Sequence, residues 1–439
     1  MVKFTFRSLR TITLVAAIFA FGPARSVALE GPSAKDIDII GYASYEFGQV
    51  VKGQWNGGPV DHYWSHNVYA GVGFDAAIDE KLHIISRVEG KMWNPYPAED
   101  RRDWRQRGYA LWLDQACGTY TFDAGEGSQF SVTAGYYVYK YNREARNLGE
   151  FMFRSYTYPG ILMNSFDFPA ARILGFMFSM NLFGGNFKND LMAFEESEVW
   201  PYGDISFANI GSCSFFNKIL EIGGGIDLAR LISVNNSFTT PQKPERCNYQ
   251  IMGIDSTGAI LYDSSQFYTF KGTKLMGRIT LDLKPIFGSP NFFSPNDLKL
   301  YGEVGVIGWK NYPFWYENRS KRIPVVFGVN VPTMKLFDVC AVEGEYYPFP
   351  FNTSYMKTIT TAIPQPNNEA TSYNPDIYAS TYWRWSVYLK RQIIPGFALT
   401  LQLARDHSRL NYTDGQPTWE ETLVNHGSMA WVVKFSGYL

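Results

Sequence analysis

The side chains able to do chemistry gather in a few places. Segment 142–167 holds Arg143, Arg146 and Arg154 against Glu144 and Glu150. Charges like these act on a passing ion if they are held in a narrow aqueous passage. On an open surface they are solvated, and salt at about 0.15 M screens them within about 8 Å. Asp406, His407 and Ser408 are the residue types of a nucleophilic triad, but adjacent strand residues point to opposite faces. His62 and His66 are four apart. In an extended segment that spacing spans roughly 13 Å, too far for one metal ion. Glu195, Glu196 and Glu198 form a carboxylate cluster of the kind a glycosidase uses, and equally a charged, solvated loop. GxSxG, P-loop and HExxH motifs are absent. Cys117, Cys213, Cys247 and Cys340 are separated by 96, 34 and 93 residues, with no metal-type spacing and no dense disulfide framework. The expectation is a protein with no catalytic residue, no metal and no cofactor.

Composition narrows the frame that must position these groups. Charged residues make up 18% of the 439, and aromatics 17%, with 29 Tyr and 12 Trp. Ordinary soluble domains carry about 25% charged residues. Lys3, Arg7 and Arg10 precede an apolar run at Thr11–Phe21, and Ser26-Val27-Ala28 has the small-x-small form of a cleavage site. Residues 1–28 are therefore expected to be a removable signal peptide, with residues 29–439 as a single mature domain. Without the signal, 36 basic residues face 41 acidic ones, a net charge of −5. That balance argues against a nucleic-acid partner. No other apolar run approaches the roughly 18 residues that a membrane helix needs.

The rest reads as strands, with period-2 alternation cut by Gly, Asn, Asp and Pro clusters. In 396–408, Phe397, Leu399, Leu401 and Leu403 share one face and Ala398, Thr400, Gln402 and Ala404 the other. Sixteen strands are expected, at 35–48, 62–79, 81–93, 106–114, 128–141, 168–182, 186–194, 204–216, 219–232, 271–284, 297–309, 322–331, 335–348, 379–391, 396–408 and 426–439. Tight links alternate with long ones, and both outer strands begin or end on the short-turn side. This segregation suits an antiparallel up-and-down transmembrane β-barrel with long external loops and short periplasmic turns. Cys117 falls in a short-side link on this reading. Aromatics are expected to form two girdles at the lipid–water interfaces. Trp64, Trp93, Tyr139, Tyr141, Trp309, Tyr346, Tyr347, Tyr382 and Trp383 lie at the long-loop ends. Phe183, Phe187, Phe215, Phe216, Phe287, Phe435 and Tyr438 lie at the short-turn ends.

In the last strand Met429, Trp431, Val433 and Phe435 alternate with Ala430, Val432, Lys434 and Ser436, ahead of Gly437-Tyr438-Leu439. This resembles the carboxy-terminal assembly strand of bacterial outer-membrane barrels, although that family often ends in Phe. In strand number and loop order the chain resembles a porin, with no motif that names a subfamily. The resemblance implies an outer-membrane location in a diderm bacterium and passive diffusion of small hydrophilic solutes. It implies membrane lipid and the barrel-assembly machinery as partners, and leaves a homotrimer open. It also implies that the third long loop, 142–167, folds into the lumen and constricts it. Alternation alone turns Arg87, Glu89, Lys91, Arg278, Asp282, Lys284, Glu303, Arg384 and Lys390 toward the water inside, since a charge facing lipid costs about 2–4 kcal/mol at the midplane. Two other readings stay open: a binding or adhesion barrel working through loops 233–270 and 349–378, and a secreted glycan-active β protein.

Overall fold

The computed structural model describes residues 36–52, 54–55, 58–59, 61–93, 108–125, 127–152, 171–197, 203–232, 248–254, 256–257, 260–268, 271–287, 292–309, 318–346, 348, 383–405 and 429–439. Residues 1–28 lie outside this set, as do Cys247, Glu198 and the Asp406-His407-Ser408 run. The described strands are β1 Asp36–Lys52, β2 Gln54–Trp55, β3 Gly58–Pro59, β4 Tyr63–Ala77, β5 Leu82–Trp93, β6 Gly108–Gly125, β7 Ser128–Tyr139, β8 Ala171–Leu182, β9 Phe187–Glu195 and β10 Ile205–Phe215. They continue with β11 Leu220–Ile232, β12 Asn248–Ile254, β13 Ile260–Tyr268, β14 Gly272–Asp282, β15 Lys299–Val306, β16 Val325–Asn330, β17 Val339–Tyr346, β18 Trp383–Ile394, β19 Phe397–Arg405 and β20 Met429–Tyr438.

Sixteen of these strands close one antiparallel barrel, and β1 seals against β20 with Tyr45 opposite Phe435 and Phe47 opposite Val433. The hairpins β2–β3 and β12–β13 stand apart from it, within the connections that follow β1 and β11. Each expected strand has its counterpart in the barrel, which is a transmembrane β-barrel of the up-and-down kind.

Burial is inverted relative to a soluble protein. Leu111 is 77% exposed, Phe176 62% and Val72 60%, whereas Asp114, Glu89 and Lys274 are at most 1% exposed. The period-2 pleat produces this by sending successive side chains to opposite faces. On β19, Ala398, Thr400, Gln402 and Ala404 turn inward, and the leucines between them turn outward. A continuous apolar exterior of this kind requires an apolar medium around it.

Three expectations change. The strand expected at 106–114 continues to Gly125, and its turn to β7 is tight. The register shifts where Arg87 and Val88 meet Gln115 and Leu113, leaving Asp114 as the extra residue of a β-bulge. Up to the bulge the even positions face inward; beyond it Cys117 and Thr119 do. The break in phase imitates the end of a strand. Cys117 therefore sits within β6, buried and free, and not in a link. Second, Tyr139 and Tyr141 are 8% and 5% exposed and belong to the interior, not to a girdle. Trp64, Trp309, Trp383, Phe183, Phe215, Phe216, Phe287 and Phe435 are exposed at the barrel ends, whereas Tyr438, also exposed, pairs with Tyr42 on the inner face and borders the lumen. The Trp93 side chain, Tyr347 and Tyr382 lie outside the described residues. Third, the expected turn at 332–334 is a longer link, since β16 ends at Asn330 and β17 begins at Val339.

Leu401 lies on the outer face between Leu389 of β18 and Val433 of β20. Leu401→Arg places a charge into lipid at a cost of about 2–4 kcal/mol at the midplane. The variant is expected to lose most of its folded, heat-modifiable band after refolding into lipid vesicles, while Leu401→Val retains it. Equal yields for the two variants would contradict the assigned face.

Candidate functional site

The segment after β7 does not pass outward. It turns across the lumen and bonds to the far wall. Residues 141–151 meet β15 through Glu303 and β17 through Glu343. The Glu303 carboxylate accepts from Asn142 Nδ2 at 2.8 Å, the Glu150 N–H at 2.8 Å, the Phe151 N–H at 2.6 Å and the Tyr141 hydroxyl. The Glu343 carboxylate accepts the N–H groups of Arg146, Asn147 and Leu148 at 2.5, 2.9 and 2.9 Å, and the Tyr301 hydroxyl at 2.8 Å. Asn147 continues the attachment, donating to Ser386 Oγ of β18 at 2.6 Å and accepting from Gln402 Nε2 of β19 at 2.5 Å. Glu144 binds Lys299 at 2.6 Å and accepts from Asn330 at 3.1 Å.

Local sequence permits this path. Gly149 has φ +83, and a Cβ there would lie 3.0 Å from Glu303 Oε2. With Glu150 also at positive φ, the chain turns two successive N–H groups onto one carboxylate. Gly305 of β15 leaves room for the Phe151 ring; a Cβ would come within 2.6 Å of Phe151 Cβ. Met152 packs into an apolar interior cluster with Tyr137, Ile173, Met192 and Phe194 on the opposite wall. Burial, with the carboxylates of Glu303 and Glu150 nearby, pushes the Tyr141 phenol well up, so it remains a hydrogen-bond donor. Burial pushes the Lys140 ammonium down, against the pull of Glu150 at 3.9 Å.

Of the loop residues expected at the constriction, Arg143 is exposed, Arg146 is partly buried, Glu144 is paired with Lys299, and Glu150 is buried near Lys140. Arg154 lies outside the described residues. The wall residues turn inward, but most do not meet open water. Arg87 binds Asp114 and stacks over Tyr42 at 5.6 Å. Glu89 is buried 3.7 Å from Arg172, which itself binds Asp114. Lys91 lies over the Tyr69 ring at 5.0 Å, Arg278 binds Glu221 at 2.5 Å, and Arg384 binds Glu345 at 3.5 Å. Asp282 and Lys284 pair with each other at 2.9 Å near the short turns. Glu303 is covered by the loop at 3% exposure, and Lys390 lies lower on the wall, partly exposed. Thr400 and Gln402, which the alternation points into water, are likewise covered from inside.

Sequence reasoning missed Asp114 and Arg172, the centre of the wall cluster, together with Glu343, the second loop anchor. Alternation could have flagged Glu343 as an inward charge, whereas it groups Arg172 with Leu174 and Phe176 on the outer face, and only the ion pairs with Asp114 and Glu89 reveal its role. Asp114 was hidden by the bulge. Of the expected glycosidase-like carboxylates, Glu196 is buried, accepts from Ser206 and faces Arg230 at 4.0 Å, so it is tied into a wall network. His66 stacks on Tyr45 and hydrogen-bonds to its hydroxyl at 2.8 Å.

No protein-family model matches the sequence, and no curated protein matches it significantly. Among solved structures, OprB of Pseudomonas putida superposes with a TM-score of 0.52 at 10% identity, over 92% of this chain and 94% of that one. The fold is a porin-type barrel. A substituted porin of Rh. blastica is matched with a TM-score of 0.43 at 9% identity, over 92% of this chain and 100% of that one. At such identities the likeness is one of fold.

Loop attachment is open to direct measurement. Hydrogen bonds to a charged group contribute about 1.5–3 kcal/mol each. Replacing both Glu303 and Glu343 by Ala is expected to speed amide exchange at residues 146–151 by at least about 100-fold, with exchange in β5 and β8 unchanged. Retained protection of the loop would mean that other contacts hold it.

Proposed function

We propose that the chain is an outer-membrane channel through which small hydrophilic solutes and ions diffuse passively, and that it is not an enzyme. The observation that carries this reading is the inversion of burial: an apolar exterior around an interior lined by charges, with one loop tied across it. A sixteen-stranded barrel is wide enough for an aqueous passage. No chemical step is needed. In this reading residues 1–28 direct export and are removed, residues 29–439 form one barrel domain, and the barrel-assembly machinery inserts it into an outer membrane. Association into homotrimers fits the same reading.

Within the passage, the loop narrows the lumen and its charges set the field. Glu144 is committed to Lys299 and Glu150 lies beside Lys140, which leaves Arg143 and Arg146 as the loop charges acting on permeating ions, joined by Arg154. The wall residues Arg87, Glu89, Lys91, Arg278, Asp282, Lys284, Glu303, Arg384 and Lys390 supply the surrounding charge. Several of them are held in ion pairs, so the loop cations weigh more in the field than their number suggests.

Planar-bilayer recording tests both levels. The purified mature barrel is expected to give discrete, ohmic conductance steps; a folded barrel without conductance would overturn the channel reading in favour of a binding or adhesion barrel. With Arg143, Arg146 and Arg154 all changed to Ser, the reversal potential in a salt gradient is expected to move toward that of cations. An unmoved potential in a correctly folded variant would take the loop out of the ion path.

A further inference from the structure

Beneath the inward loop, on its short-turn side, the wall opens into a cleft of about 470 Å³. Arg146 forms its ceiling, Lys390 and Gln392 of β18 with Ala398 of β19 form its wall, and Asn296 closes it from the link between β14 and β15. Position follows from register. Ser386, which holds Asn147, and Lys390 share the inner face of β18 four residues apart, about 13 Å along the strand. Lys390 therefore sits one step below the loop, with Thr400 opposite it on β19 and the small Ala398 opposite Gln392.

The charges of this cleft are uncommitted. The Arg146 main chain is bound to Glu343, but its guanidinium makes no ion pair among the described residues, and its Nε is buried without a hydrogen-bond partner. Lys390 likewise has no ion pair or hydrogen bond from its side chain among the described residues; it meets its strand neighbours only through the ladder. The other cations of this region are engaged: Lys299 by Glu144, Lys284 by Asp282 and Arg391 by Asp338. Asp338 is the single acid lining the cleft among the described residues. Its carboxylate lies 3.5 Å from Arg391 and accepts the Gln392 N–H at 2.5 Å. Two free cations beside two amide side chains match a doubly charged group with several acceptor oxygens.

We infer that this cleft, Arg146 above and Lys390 behind, is a binding subsite for the phosphate group of small solutes on the short-turn side of the loop. The inference rests on the lumen being open to solutes. It assigns Arg146 a contact role as well as a field role.

The probe is inorganic phosphate, read by ³¹P line broadening on the full mature chain folded in detergent. The wild type is expected to broaden the line. Lys390→Gln is expected to weaken binding about tenfold, and Arg146→Gln similarly. Lys91→Gln removes a charge near the long-loop end of β5, five strands around the barrel from β18, and is expected to leave binding unchanged. Lys390 holds nothing in place, so K390Q remains informative even if R146Q disturbs the loop; heat-modifiable mobility identifies folded samples. Absence of broadening by the folded wild type, broadening retained by K390Q, or an equal loss in Lys91→Gln would each overturn the subsite. Conductance is scored separately. A chain that binds phosphate without conducting keeps the cleft and loses the channel; one that conducts without binding loses only the cleft.

Discussion

Closure of the sheet is the constraint on which everything else depends. Inside hydrocarbon a backbone N–H or C=O has no water to bond, and an unpaired edge costs several kcal/mol per group. The chain meets this by pairing β1 with both β4 and β20, so every barrel strand has two partners. Once the ring is closed, the pleat allows only two destinations for side chains. Leu399 and Leu401 go to the outside, and Thr400 and Gln402 to the inside. The inner surface is then forced to be polar, since the apolar residues are needed outside.

A polar interior creates a second problem, which the loop solves. Glu303 and Glu343 are buried charges, and a buried carboxylate is costly unless fully hydrogen-bonded. Neither is neutralised mainly by a cation. Each collects backbone N–H groups and a tyrosine hydroxyl from chain that would otherwise carry unsatisfied donors of its own. The wall and the loop thus satisfy one another, and the loop is held from several directions at once. The opposite wall is different in kind: Arg87 and Arg172 flank Asp114, with Glu89 beside them, and the charges compensate within the wall itself.

Much of this was legible in the sequence, because period 2 is a local signal and survives wherever a strand has one apolar face. The strands and the inward turn of residues such as Arg278 and Lys390 follow from it directly. Most of the failures share one cause: they depend on something outside the local repeat. The bulge at Asp114 inverts the phase within β6, so a continuous strand reads as two unrelated pieces and Cys117 is misplaced. Tyr139 and Tyr141 have the amphipathic form of girdle residues, but Tyr139 shares the inner face of β7 with Tyr137 and donates to Asp190, and the inward path of the following segment buries Tyr141. Alternation shows that Glu303 faces inward; that a distant loop covers it is not written near residue 303. For the same reason the expectation that Gln402 meets open water overlooks Asn147.

The long reach of the loop contacts has a consequence for the order of events during assembly. Tyr141 and Glu303 are 162 residues apart, Arg146 and Glu343 197, and Asn147 and Gln402 255. Hairpin pairing between successive strands is short-range and proceeds without the loop, whereas contacts of such separation carry the largest entropic cost of chain closure and come late. The segment 141–151 gains its hydrogen bonds to the far wall only once β15, β17 and β19 are in place, so in a partly built barrel nothing ties it across the interior. Its narrowest point is thus the last part to acquire a shape, and it records whether the carboxy-terminal half has arrived in register: a slip of one residue in β17 would turn Glu343 outward and leave the loop without its anchor.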